Sequence, residues 1–320
     1  MTEVANNANA AAQPDWRNQP ERGSALGIRF TVWAARFLGR SVARFMLAIV
    51  AFYFTLFAGA ARRASGDYLQ RMGEPCGFWA SYRHIRTFAF VALDRIFFVG
   101  GEVSRFKTGH TGVEHLMELR RQGRGALLLG AHLGSFEAMR ALGSDEAFAI
   151  NILVYWKNAR MITQFLEQVG GDFRGRVIEI NPEDPSYVFA VRDAIEAGEM
   201  VAILGDRVAE GEKSVVVPFL GQPARFPAGP YLLASVLKCP IYLTFGLYRE
   251  GATYDLFCEP LAERVVLPRG QREVAAAHYA EQYATRLEAF CRKAPTNWFN
   301  FFDFWASAAR ALPEDPASQG

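Results

Sequence analysis

GALLLGAHLGSFE, residues 125–137, opens on a short apolar run bounded by glycine and closes on small and polar residues. The run 125–131 reads as a buried strand, Gly134 as a tight turn and Ser135 as the N-cap of a following helix. Residues five apart on a continuous helix lie about 140° apart, so on such a helix His132 and Glu137 would not meet. With His132 in the loop and Glu137 in the first helical turn, the carboxylate can point back toward the imidazole. The stretch therefore predicts a strand, a loop histidine and a helix, with the histidine where α/β sheets gather their sites.

A histidine paired with a carboxylate has one ring nitrogen protonated and oriented, which frees the other to take a proton from a hydroxyl. Such a dyad needs no protein nucleophile. The competing reading makes His132 a satisfied loop histidine and Glu137 a residue that favours a helix N-terminus through the macrodipole.

Outward from this stretch, further apolar runs at 149–155 (AINILVY), 176–180 (RVIEI), 200–204 (MVAIL), 214–217 (SVVV) and 241–248 (IYLTFGLY) read as buried strands. Helical patterns fall between Arg62 and Gly101 and at 111–122, 158–169, 185–197, 228–238 and 271–293, with Asp184 before Pro185 as a capping arrangement. Strands alternating with helices predict an α/β fold. Asp206 and Arg207 follow the apolar run at 200–204 and so belong at a strand end, in the same cleft as His132. The competing reading for them is a surface ion pair.

The segment FMLAIVAFYFTLFAGAA, 45–61, carries no charge and is flanked by Arg40, Arg44, Arg62 and Arg63. Its length sits at the lower limit for crossing a hydrocarbon core, and positive charge at both ends gives no orientation. Arg29, Arg36, Arg40 and Arg44 fall within about 80° of one helical face, the pattern of an interfacial helix or of a solvated basic face on a helix packed against the domain. Four units follow: a polar tail at 1–24, a membrane-associated helical segment at 25–63, a catalytic domain at 64–311 and a polar tail at 312–320. Composition agrees, being 51% hydrophobic and 21% charged, apolar for a soluble enzyme but far from a polytopic membrane protein. A net charge of +2 and the absence of a base-reading module argue against nucleic-acid binding. Cys76, Cys239, Cys258 and Cys291 form no C-x-x-C pair, so reduced thiols and a cytosolic catalytic face are expected. His84, His110, His115 and His278 lack metal-ligand spacing and are read as structural.

GALLLGAHLGSFE resembles the signature block of the lysophospholipid acyltransferase superfamily, and within it the bacterial lipid A lauroyl/myristoyl acyltransferase branch, where a histidine is followed after four residues by Asp or Glu. VAILGDRVAEGEKSVVVPFLGQPARFPAGPYLLA, 201–234, is similar to that branch's second block, and PTNWFNFFDFW, 295–305, to its aromatic ending. The resemblance covers most of residues 25–308. It implies a mixed central sheet flanked by helices, an N-terminal membrane helix and no metal or redox cofactor. It also implies acyl transfer from an acyl carrier protein or coenzyme A thioester onto a hydroxyl of a glycolipid or phospholipid, at the cytoplasmic face of a bacterial inner membrane.

In this light His132 and Glu137 are the expected catalytic pair. Backbone amides at Gly134 and Ser135, or the cation Arg207, are the expected oxyanion donors. Lys157, Asn158, Asp206, Arg207, Arg225 and Gly229 are the further candidates for substrate contact. Ala228 stands where the wider superfamily usually carries Glu, which weakens glycerol-phosphate specificity. Arg121, Arg124 and Lys213 are candidates for meeting an acidic carrier protein. Rival readings are a thioesterase or lipid hydrolase using water, an acyltransferase for another phospholipid or aryl-polyene-type acceptor, and a non-catalytic lipid-binding protein.

Overall fold

A computed structural model of the chain describes residues 33, 37–139, 149–155, 163, 175–181, 184–209 and 211–309. The tails 1–24 and 312–320, the helix expected at 158–169, and Arg29 and Arg36 lie outside these, apart from residue 163. The run at 126–130 becomes β2 (Ala126–Gly130), buried at every position and lying in the middle of a seven-stranded sheet. β1 is Lys107–Thr111, β3 Ile150–Tyr155, β4 Val177–Ile180, β5 Met200–Leu204, β8 Ile241–Arg249 and β9 Thr253–Ala262, in the order β1-β9-β8-β2-β5-β3-β4. From β8 to β4 neighbouring strands are parallel; β9 turns back antiparallel on β8, and β1 runs parallel to β9, so the sheet is mixed.

Helices cover both faces, and so β2 reads as an unbroken apolar run. Leu127 and Leu129 pack in one layer with Tyr283, Leu287 and Trp298, while Ala126 and Leu128 pack in the other with Leu116 and Leu119. The helices are α1 (Arg40–Phe57), α2 (Gly59–Arg71), α3 (Phe78–Val99), α4 (Val113–Arg121), α5 (Tyr187–Glu196), α6 (Gly229–Leu237), α7 (Arg272–Lys293) and a last turn, α8 (Ala306–Ala309).

Three strands went unanticipated in the sequence for physical reasons. β1, KTGHT, is a largely exposed polar edge, β7 (Gln222–Pro227) begins and ends near prolines, and β9 alternates inward and outward residues, with Pro260 among them. The run at 214–217 is a strand, as expected, but not one buried on both faces. It lies in β6 (Ser214–Phe219), with alternating burial, and pairs antiparallel with β7 in a separate hairpin instead of entering the main sheet. Leu220 and Gly221 close that hairpin, both with positive φ, as a two-residue turn of primed type requires.

α1 also corrects an expectation. Arg40 donates two 2.7 Å hydrogen bonds to the fully buried Asp94 of α3, and Arg44 donates to Tyr248 Oη at 2.9 Å and lies 3.9 Å over the Phe90 ring. These two arginines face the domain. The side turned outward is the apolar one, with Phe45, Ile49, Tyr53 and Phe57 exposed.

Candidate active site

β2 and β5 lie side by side in parallel with Gly130 level with Leu204. Two residues beyond each come His132 and Asp206, so strand register alone brings them together. Asp206 Oδ1 accepts from His132 Nδ1 at 2.8 Å, while Oδ2 accepts from the His132 backbone N–H at 3.0 Å, Trp298 Nε1 at 3.0 Å and Asn300 Nδ2 at 2.8 Å. A fully buried carboxylate is tolerable only with such partners. Burial alone would raise its pKa, but His132, Arg207 and Asn300 outweigh this and hold it low, at about 2.

An ionised carboxylate only accepts, so Nδ1 must carry the hydrogen and Nε2 presents its lone pair. The imidazole is a quarter exposed. Burial, then the Arg207 and Arg95 cations, push its pKa below the ordinary 6.5 against the opposing pull of Asp206. The result is a neutral imidazole at neutral pH with one basic nitrogen free of any hydrogen bond to the described residues.

Glu137 is not the group that orients this ring. β5 runs beside β2 and delivers Asp206 to Nδ1, whereas the helical turn at 136–139 carries Glu137 against α3. There Glu137 Oε2 accepts from Ser135 Oγ at 3.2 Å and forms a 3.0 Å ion pair with Arg95 Nε, bent out of line for a hydrogen bond. Ser135 Oγ also accepts from the Ala138 N–H at 3.1 Å, the N-cap bond its position predicts.

The loop between strand and helix is locked from behind. Gly134 has φ 65°, and a Cβ there would stand 1.9 Å from the Gly246 carbonyl oxygen; a Cβ on Gly246 would stand 2.3 Å from that of Ser135. This glycine pair lets the Ser135 N–H reach the Gly246 carbonyl at 2.8 Å, while the Gly134 N–H donates to the Asn297 carbonyl at 2.8 Å. Both amides expected as oxyanion donors are thus already committed to backbone carbonyls. Arg207 uses two of its five N–H donors within the wall, on Asn300 Oδ1 at 2.6 Å and the Phe299 carbonyl at 3.0 Å. Burial lowers its pKa to about 10, so it remains a cation at neutral pH, close enough to depress His132.

The aromatic segment after α7 forms the second wall. The Phe299 N–H donates to the His132 carbonyl at 2.7 Å, and Asn297 exchanges two hydrogen bonds with the Tyr248 backbone. Trp298, fully buried, packs its ring 4.9 Å from Tyr68 and 5.3 Å from Phe219. Trp298, Asn300, Asn297 and Arg95 escaped the sequence reading. The signal for the first three was two asparagines set among aromatics, since a buried amide demands partners; nothing marked Arg95 among the arginines of α3.

The other candidates stand apart. Arg225 donates to Ser214 Oγ at 3.1 and 2.6 Å across the β6–β7 hairpin, and Gly229 opens α6 beside Glu212. No hydrogen bond between described residues joins either to the His132–Asp206 cluster. Lys157 and Asn158 lie outside the described residues. Arg121 pairs with Glu118 and Arg124 with Glu263, so both cations are met within the chain. His84 bridges Ser65 Oγ at 3.0 Å and the Trp298 carbonyl at 2.8 Å, a structural role; burial pushes its pKa down to about 4.

A neutral histidine held by a buried carboxylate at the ends of two parallel strands, with no serine or cysteine among the described residues hydrogen-bonded to it, has the chemistry needed to take a proton from a hydroxyl or water. The model of the bacterial lipid A biosynthesis acyltransferase family matches residues 83–307, a span that holds all of this machinery, and the chain belongs to that family. It is an acyltransferase, and the reaction in general terms carries an acyl group from a thioester donor to a lipid acceptor. No curated protein matches the chain. The family and the exposed apolar helix α1 together point to membrane association.

Proposed function

We propose that this acyltransferase moves a fatty acyl chain from an acyl carrier protein or coenzyme A thioester to a hydroxyl of a lipid A-like glycolipid, at the cytoplasmic face of a bacterial inner membrane. The observation that carries the mechanism is the Nδ1–H donated to Asp206, which leaves Nε2 of a quarter-exposed imidazole basic. Nε2 takes the acceptor hydroxyl proton as that oxygen attacks the thioester carbonyl. The tetrahedral oxyanion collapses, the carbon–sulfur bond breaks, and the leaving thiolate takes the proton back from the imidazolium. Ester and free thiol result, and Asp206 supports the imidazolium while it exists.

Glu137 acts through Arg95 and not on the ring. It fixes a partly exposed guanidinium on the side of the site facing α3, where His132 feels its charge and where anionic oxygen would gain from it. The test is thiol release by the purified chain in detergent with acyl thioester and acceptor lipid, the products read by mass spectrometry. His132→Ala should lower the rate roughly 10²- to 10⁴-fold, the usual contribution of a positioned base. Undiminished release by that variant, or free fatty acid as the sole acyl product, overturns the proposal.

A further inference from the structure

We propose that α1 lies along one leaflet of the membrane and does not cross it, its outward face buried at the boundary of headgroups and acyl chains. The inference rests on α1 being the membrane-associated segment. Its 18 residues are long and apolar enough for a span by composition alone. What decides against a span is how the helix is fixed to the domain.

α1 runs antiparallel to α3 and touches it from end to end. Arg40 holds Asp94 at one end, Arg44 covers Phe90 next, Tyr82 Oη donates to the Ala48 carbonyl at 3.4 Å, and Phe52 meets Phe78 at 5.8 Å at the other end. The inward side is small or polar, with Ala43, Ala51 and Thr55 buried, so the two backbones approach closely. A bilayer threaded by α1 would therefore also have to admit α3. Level with the middle of α1 stands Arg86, between the rings of Tyr82 and Phe90, paired at 3.4 Å with Glu250, whose side chain is 84% exposed. Glu250 sits at the turn that joins β8 and β9. A span would draw this ion pair and the turn's backbone into hydrocarbon, where charges and unpaired peptide groups are costly.

A flat helix removes the conflict. Phe45, Ile49, Tyr53 and Phe57 form one outward stripe, and Trp79, 66% exposed and 6.1 Å from Phe52, extends it at the far end. An apolar stripe edged by Tyr and Trp suits the interfacial zone. In this orientation the end of α3 that carries Arg95, beside Asp94, lies at the same leaflet, so a membrane-held acceptor reaches His132 without leaving it.

The test labels the two ends of α1 with a membrane-impermeant maleimide in right-side-out and inside-out membrane vesicles. Native Cys76 is exposed beyond the C-terminal end, and the other three cysteines are buried. Phe37→Cys in a Cys76→Ser background reports the N-terminal end. Both thiols should react in the same vesicle orientation and lose labelling in the other; reaction in opposite orientations means a span and overturns the proposal. A spin label at Ile49→Cys in the same background should show shallow immersion in the bilayer. Water exposure there, or an Ile49→Cys cross-linked dimer that persists in detergent, makes the stripe free or an interface between two copies and equally overturns it. Acyl transfer by the same proteins in detergent is measured alongside, so a failure of the proposed reaction is seen separately from a failure of the topology.

Discussion

Replacing Asp206 with asparagine isolates what the buried carboxylate does. Oδ2 accepts three N–H donors, from His132 backbone, Trp298 and Asn300, whereas Oδ1 accepts only from Nδ1. An amide keeps the shape but has one oxygen. Turning its NH2 toward the three donors would leave all of them facing a donor, so the oxygen takes that side and the NH2 faces Nδ1. Nδ1 must then accept, the ring proton moves to Nε2, and the base is occupied. In a serine protease triad the same change costs about 10⁴ in kcat through the wrong tautomer, and here a loss of about 10³- to 10⁴-fold is expected, roughly 4–5.5 kcal/mol at 1.36 kcal/mol per decade.

The fold should survive Asp206→Asn, because every polar atom retains a partner and only charge assistance is lost, about 1–3 kcal/mol. The assay is thiol release with saturating thioester and acceptor, with circular dichroism to confirm folding and 15N shifts of the His132 ring to read the tautomer. A folded Asp206→Asn protein within tenfold of the parent rate, or one whose ring keeps its proton on Nδ1, refutes the assignment. Glu137→Gln should behave differently, leaving the tautomer intact and weakening the hold on Arg95.

Gly134→Ala should remove activity and lower the unfolding midpoint, since the new Cβ meets the Gly246 oxygen at 1.9 Å and the loop must leave β8; thermal unfolding with a rate measurement checks both. Activity should fall on the acid side with an apparent pKa below 6.5, because His132 is depressed and acts when unprotonated; a pH profile of kcat/KM that falls instead at or above 6.5 contradicts this. His84, fully buried and lowered to about 4, charges more readily in the unfolded chain, so stability is complete above about 6.5 and lost as pH falls toward about 4. Urea unfolding across that window should show up to about 3 kcal/mol of loss, from 1.36 kcal/mol per unit, reduced in His84→Gln. Arg40→Gln leaves Asp94 buried with Tyr254 Oη as its remaining partner, at 2.9 Å, and should cost about 3 kcal/mol, the lower end for breaking a buried pair.

Much of the fold was legible because burial on both faces leaves a plain trace. ALLLG and MVAIL are apolar at every position, and β2, β5 and β8 lie at or within a residue or two of their sequence bounds. β1 and β9 left no such trace, since an edge strand and a strand with alternating burial carry polar residues that look like loop. At the site, His132 was legible from its place after a strand, but its partner was not. The sequence puts Glu137 five residues away and Asp206 seventy-four away, and proximity along the chain favours the first. What decides is the register of two parallel strands, which pairs Gly130 with Leu204 and thereby His132 with Asp206. Arg40 and Arg44 were misplaced for a related reason: periodicity locates a basic face but does not say whether it meets water or a buried aspartate.

The charges around His132 follow a pattern that bears on the proposed chemistry. Asp206 stands beside Arg207, and Glu137 is paired with Arg95, so two opposite-sign pairs flank a ring that is itself neutral. Before reaction the surroundings carry no net charge that a buried site must offset. Proton transfer creates one cation on the ring and one anion on the acyl carbon's oxygen. Asp206 is already hydrogen-bonded to the first, with its four N–H partners fixed in advance, so little reorganisation remains. Arg207 donates to Asn300 Oδ1 and to the Phe299 carbonyl, while Arg95 is ion-paired with Glu137 and its buried Nε–H makes no hydrogen bond. Arg95 sits on the Glu137 side of the ring, and its terminal N–H groups make no hydrogen bond to other described residues, so Arg95→Lys, which keeps the charge but removes the fork, should lower kcat more than it raises KM; a change confined to KM would place Arg95 in acceptor binding alone.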